Sequence, residues 1–148
     1  MKMKNLLALD IATNTGWKTK TASGVWNFAL KRGESYGMRV VKFKAKVREI
    51  IELDRINIVV YERPAGQHKA SIMVASEMIG VLNDLCIELG IDISTYSASE
   101  IKKFATGKGN ANKDLMIQSA IDLGFNPKDD NEADAIHLYR LAIDDLKL

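Results

Sequence analysis

Apolar residues recur along this chain with two spacings. Residues 4–10, "KNLLALD", run through Leu and Ala to a single charge, Asp10, and read as a strand buried on both faces. Residues 16–21 and 24–30 read as two further strands with a turn around Ser23-Gly24, which makes a three-strand meander. "INIVVYE", 56–62, is a second apolar run that stops on a carboxylate, Glu62, and "IDISTY", 91–96, supplies a fifth strand. Between and after these runs the spacing changes to three and four. It predicts helices over 35–53 (through Met38, Val41, Ala45, Ile50 and Ile51), 69–89, 98–104, 112–123 and 130–145. The later strands alternate with helices, so they pair in parallel under a helical cover, and the chain is α/β.

The 69–89 segment carries more apolar positions than one stripe holds. Ile72, Ala75, Ile79, Leu82 and Leu85 suit the sheet, while Met73, Val74, Met78, Val81 and Cys86 flank a second apolar surface where Gly80 permits close approach. A helix apolar on two sides is covered on two sides, by another helix of this chain or by a second copy. A length of 148 residues suits one domain, 1–148, with a real core. No run is expected to be long enough to cross a bilayer, and no signal peptide is read. The single cysteine, Cys86, excludes an internal disulfide and a cysteine-based zinc site, and a reducing cytoplasm fits. The net charge of +2 is too mild to point to nucleic acid, so the distribution of charge matters more than its sum.

That distribution is uneven. Residues 96–116, "YSASEIKKFATGKGNANKDLM", hold Lys102, Lys103, Lys108 and Lys113 around Gly107 and Gly109, whose amides can approach a phosphate. The 35–53 helix places Arg39, Lys42 and Lys46 on one face, either a phosphate-contacting stripe or a solvated one. The acids form a second pattern. Asp10 and Glu62 each end an apolar strand, and α/β sites sit at the carboxyl ends of strands. Asp134 lies on the last helix, sharing a face with Asn131 and with His137 or Leu138. Three such carboxylates make an oxygen-rich site for Mg²⁺ or Mn²⁺, and two ions held there can activate water and stabilise the leaving oxygen of a phosphodiester. Asp129, Asp130 and Glu132 read instead as acids of a helix start, by capping-box spacing and by the helix dipole.

Taken in order, "LALDIATNTGW", "IVVYERP", the lysine segment and "NEADAIHLYRLA" resemble the RuvC-type Holliday-junction resolvases of the ribonuclease H-like superfamily. The resemblance implies a mixed five-stranded sheet, an antiparallel three-strand meander plus two parallel strands, flanked by helices. It implies metal ligation by Asp10, Glu62 and Asp134, active-site roles for Lys102 and Lys113, and two Mg²⁺ ions with Mn²⁺ as substitute. It also implies a homodimer packed through 69–89, a four-way DNA junction as substrate, no membrane, and a cytoplasmic setting (the host's, if phage-encoded). Two positions depart from the family pattern. Asn131 stands where the family usually has Asp or His, so Asn131 or the neighbouring Asp130 is the fourth ligand. After Glu62 comes "RPAGQHKAS", without the family's aromatics, which leaves Arg63 and His68 as DNA contacts there. The rival readings are a nuclease of this fold acting on other branched DNA or on RNA–DNA hybrid, and a non-catalytic junction binder. An actin-like nucleotide fold, hinted at by "DIATNTG", needs two such domains.

Overall fold

The structure is a computed structural model that describes residues 4–148. Its elements are β1 (Leu6–Asp10), β2 (Asn14–Lys18), β3 (Ser23–Asn27), α1 (Met38–Asp54), β4 (Ile58–Glu62), α2 (Lys69–Leu89), β5 (Asp92–Tyr96), α3 (Ala98–Thr106), α4 (Lys113–Asp122) and α5 (Asp130–Leu146). The sheet runs β3-β2-β1-β4-β5. β1, β2 and β3 pair antiparallel, while β4 joins β1 and β5 joins β4 in parallel. This is the mixed sheet that the sequence pattern predicts.

Strand alternation divides the core in two and decides where the end-of-strand acids point. Leu7, Leu9, Val59 and Tyr61 pack with Phe43 and Val47 of α1 and Met78, Leu82 and Leu85 of α2. Leu6, Ala8, Ile58, Val60 and Tyr96 pack on the opposite face with Ile101, Met116, Leu138 and Ala142 from α3, α4 and α5. Asp10 follows Leu6 and Ala8 in parity, and Glu62 follows Ile58 and Val60. Both acids therefore belong to the face covered by α5.

Four expectations are corrected. The β2–β3 turn lies at Thr19–Ala22, where the Thr19 N–H donates to the Ala22 carbonyl at 2.8 Å, and Ser23 already pairs with Lys18. Gly24 is a strand residue beneath the Trp17 indole; a Cβ there would stand 3.0 Å from Nε1, so the glycine marks a close approach rather than a turn. In α1 the inward stripe is Phe43, Val47, Ile50 and Ile51, and Val41 and Ala45 face outward. Two apolar stripes compete along this helix, and the one carrying Phe43 wins because its ring packs edge-on against Phe28 at 5.6 Å. In α2, Met78 and Cys86 join Ala75, Leu82 and Leu85 on the buried side. Finally, α2 is long and apolar enough to cross a bilayer by length and composition, with a mean hydropathy of 1.5 over its best window. Its buried side is core of the sheet, yet 28% of that window is all that this chain buries. Met73 and Ile87 stay exposed, at 57% and 82%, which leaves an apolar face to be covered.

Candidate active site

The carboxyl ends of β1 and β4 lie side by side. Leu9 is level with Tyr61 in the parallel ladder, so Asp10 and Glu62 end neighbouring strands at one height. On the other flank Asp10 pairs with Gly16 of β2, and α5 crosses the sheet there. A Cβ on Gly16 would stand 1.9 Å from the Asn131 carbonyl oxygen, so only a glycine lets the first turn of α5 rest directly on β2. Asp134 lies one turn further along α5 and is thereby carried over Asp10.

The start of α5 is fixed by polar ties. Asp129 caps it by accepting the Glu132 N–H at 3.0 Å. The Glu132 carboxylate accepts the Lys128 N–H at 2.8 Å and the Ser23 hydroxyl at 2.7 Å. Glu132 thus anchors the helix start to β3, reaching the Lys128 amide rather than the Asp129 amide that a capping box would use. Sequence spacing found the cap but carried no signal for Ser23, which lies 109 residues away.

The acids act on one another through their charges. Asp10 is held well above the ordinary carboxylate range, first by burial and then by the charges of Asp134, Glu62, Asp130 and Asp129. Burial raises Asp134 to about 7, with Glu62 and Asp130 adding to it and Lys102 and Lys113 opposing. Burial also raises Glu62, against the pull of Lys102. The lysine segment turns between α3 and α4. Gly107 takes the left-handed conformation (φ 83°) that closes α3, and Asn112 caps α4 through the Leu115 N–H at 2.8 Å. Lys102 and Lys113 both act on Asp134, and the Lys113 ammonium stands 3.7 Å from Asp130. Asp130, read from sequence as a helix-start acid and as the alternative to Asn131 for the fourth ligand, therefore stands among the site carboxylates. Asn131 lines an open cavity of about 430 Å³ with Ala12, Thr13, Asn14, Ala70, Ser71 and Val74. Its amide lies 3.5 Å from Asp129 Oδ2.

Other candidate residues stay outside this cluster. Arg63 donates to the Thr95 carbonyl and hydroxyl and pairs with Glu100 at 3.3 Å. His68 is exposed at the N-terminus of α2, and Lys103 and Lys108 are exposed around the α3–α4 turn. Arg39, Lys42 and Lys46 lie on α1, across the sheet from the acids. Arg39 donates to the Phe28 carbonyl at 3.3 Å, Lys42 pairs with Glu34 at 2.5 Å, and Lys46 pairs with Glu49 at 3.6 Å.

Among the described residues, no three His, Cys, Asp or Glu side chains close into a metal-ligating cluster. The donor chemistry nevertheless fits a divalent ion. The donors are all oxygen, and the raised carboxylates carry mutual repulsion that the two lysines offset in part.

The family model described as "Crossover junction endodeoxyribonuclease RuvC" matches residues 20–142. The chain belongs to the RuvC family. Its curated relatives include the RuvC proteins of Synechococcus sp. (strain CC9311), 26% identical over 107 residues, and of Corynebacterium glutamicum, 30% identical over 104 residues. Those alignments cover 70% and 68% of this chain, and 67% and 47% of the two relatives. The chain thus spans about half to two thirds of their length. Among solved structures, T. thermophilus RuvC in complex with a Holliday junction substrate superposes with a TM-score of 0.76 at 17% identity, covering 94% of this chain and 92% of that one. The yeast mitochondrial Holliday junction resolvase superposes with a TM-score of 0.66 at 11% identity, over 93% and 77% of the two chains. These likenesses establish the fold. The RuvC family match begins at residue 20, after β1, so the placement of Asp10 stands on the geometry above.

The raised acids fix the sign of a pH effect. A carboxyl whose folded pKa lies above its unfolded value stabilises the protein fully below the unfolded value, and that stability is lost as pH rises through the folded value. For Asp134 the window runs from 3.8 to about 7. Without divalent ions, the melting temperature should fall as pH rises from 5 to 8. Asp134→Asn should flatten that slope and melt about 4 °C or more above wild type at pH 8. Thermal melts in chelator across this range check it; an unchanged slope in the variant would show that Asp134 does not carry the effect.

Proposed function

We propose that this chain is a divalent-metal-dependent endonuclease that resolves four-way DNA junctions. The observation that carries the reading is the placement of Asp10 and Glu62 at adjacent strand ends, with Asp134 of α5 raised by Glu62 and raising Asp10, and with Lys102 and Lys113 acting on Asp134, in a chain of the RuvC family. The curated relatives are named crossover junction endodeoxyribonucleases, and the T. thermophilus protein is seen with a Holliday junction.

Asp10, Glu62 and Asp134 would hold two Mg²⁺ ions, for which Mn²⁺ substitutes, with the Asn131 amide oxygen or the Asp130 carboxylate completing the set. Bound there, the ions supply Lewis acidity toward the phosphate and lower the pKa of water. Lys113, whose side chain is 81% exposed, reaches the scissile phosphate and offsets charge that develops on it; Lys102 does so from the partly buried side. Lys103, Lys108, Arg63 and His68 contact the DNA around the site. The α1 stripe of Arg39, Lys42 and Lys46 adds longer-range attraction, which its intrachain partners weaken.

The outward faces of α1 and α2 support a homodimer. Val41, Leu53, Met73 and Ile87 are all exposed apolar side chains there, and Gly80 admits a close neighbour because nothing lies within 4 Å of a Cβ built on it. Two subunits supply the two active sites that paired cuts in a junction require. A cytoplasmic setting and the absence of a membrane-bound state go with this reading.

The lysines separate a nuclease from a binder. Loss of a phosphate contact lowers affinity and reduces the salt slope by about one unit. Loss of a group that acts in the transition state lowers turnover on saturating DNA instead. Lys113→Ala should cut the saturated single-turnover rate by about 10²-fold. Lys108→Ala should change affinity and salt slope alone. Rates at saturating junction across a salt series check both, and a Lys113→Ala variant that loses affinity at full rate would remove that residue from catalysis. The reading as a whole is tested on labelled four-way junction, flap, duplex and RNA–DNA hybrid with Mg²⁺, Mn²⁺ or chelator. The four-way junction should be cut fastest, and preference for the hybrid would assign the fold to a different substrate.

A further inference from the structure

His137 is a fully buried polar side chain that the carboxylates and lysines do not use. It lies on α5 one turn beyond Asp134, and its Nε2 stands 2.9 Å from the Met116 carbonyl oxygen on α4. A carbonyl only accepts, so Nε2 carries the proton and Nδ1 is a bare acceptor. That Nδ1 is buried and has no hydrogen-bond partner. Burial pushes the imidazole pKa down, in keeping with a neutral ring.

A half-satisfied histidine is a poor way to stabilise a core. A buried acceptor without a partner carries a desolvation cost, which offsets what the bond to Met116 contributes, and the Met116 carbonyl keeps its partner within α4 when the ring is removed. Stability alone therefore does not account for His137, whereas its position does. Met116 is one turn beyond Lys113 on α4, as His137 is one turn beyond Asp134 on α5. α4 buries Met116 and Ala120, and Met116 is the α4 residue whose carbonyl the ring holds. The bond pins the two helices at the turns next to the two site residues.

We infer that His137 is a positioning residue, which sets where the Lys113 ammonium stands relative to Asp134 and Asp130 by holding the Met116 carbonyl. The inference rests on the proposed nuclease reading. His137→Leu should melt at or above the wild-type temperature and bind junction with unchanged affinity. Its saturated single-turnover rate should nevertheless fall about ten-fold, as misplaced reacting groups do. His137→Gln, whose amide can donate to the same carbonyl, should recover most of that rate. In a Lys113→Ala background, His137→Leu should cost almost nothing further, because the group it positions is gone. An equal loss in both backgrounds, a rate that falls only as the melting temperature falls, or an unchanged rate would overturn the inference. The NMR shift of the Lys113 ε-methylene reads the pairing with Asp130 without any cleavage. It should move in His137→Leu and stay in place in His137→Gln. A moved shift in a protein whose wild type cuts nothing would sink the nuclease reading and leave the placement standing, while an unmoved shift would sink the placement.

Discussion

Asp134→Asn should abolish junction cleavage, by about 10³-fold or more, while the protein still folds and binds DNA. The amide keeps the shape of the side chain and removes the charge that a divalent ion needs. Metal-free, the variant loses a group whose ionisation burial, Glu62 and Asp130 all oppose. It should therefore be the more stable protein above neutral pH. Junction affinity should hold or tighten, because binding rests on lysine and arginine contacts to phosphate and one repelling charge has been removed. Asp10→Asn and Glu62→Gln should behave alike, since their acids are raised by the same burial. Loss of rate, retained affinity and increased metal-free stability together mark a metal ligand. A merely structural acid would lose rate and stability together. Full activity with Mg²⁺ in any of the three variants would take that residue out of the site.

Gly16→Ala should be the most damaging single-methyl change in the chain. The added carbon would stand 1.9 Å from a backbone oxygen and 2.4 Å from a backbone carbon of Asn131, where no side-chain rotation relieves it. The first turn of α5 must lift off β2, breaking the Glu132–Ser23 tie and moving Asp134 away from Asp10. A cost of about 3 kcal/mol or more is expected, which lowers the melting temperature by roughly 6–12 °C at this size, together with near-complete loss of cleavage. Gly37→Ala is the matched control. Nothing lies within 4 Å of its Cβ and its φ of −66° is one that alanine adopts freely, so that variant should melt close to wild type. Equal melting temperatures for wild type and Gly16→Ala would show that α5 does not rest on β2 as described.

The contrast between these two glycines shows what sequence patterns can carry. Apolar runs that stop on Asp10 and Glu62 are local signals, and strand period then places both acids on one face. The helix that brings Asp134 was equally legible from its spacing. Gly16 was visible as a glycine after the first strand, but its reason, the Asn131 carbonyl 115 positions later, is a tertiary contact with no period. The Ser23–Glu132 and His137–Met116 bonds are hidden for the same cause. Asp130 reads as a helix-start acid from its place in the first turn, and as an alternative fourth ligand only through the family resemblance. Its place beside Lys113 and the other acids depends on where α4 packs. In α1 the pattern offered two stripes, and the contact of Phe43 with Phe28, from a loop beyond β3, chose between them. Local periodicity therefore gives the elements and the inward face of each strand, while the contacts that fix the site's geometry join residues far apart in the chain.

The most direct test of the central claim is to map the cuts on a four-way junction whose four strands are each end-labelled in turn. With Mg²⁺, the account predicts paired nicks at symmetry-related positions on two opposing strands. It predicts no nicks in chelator and none with Asp134→Asn. Cutting that persists in chelator or in Asp134→Asn, or that is spread equally over linear duplex, would contradict it.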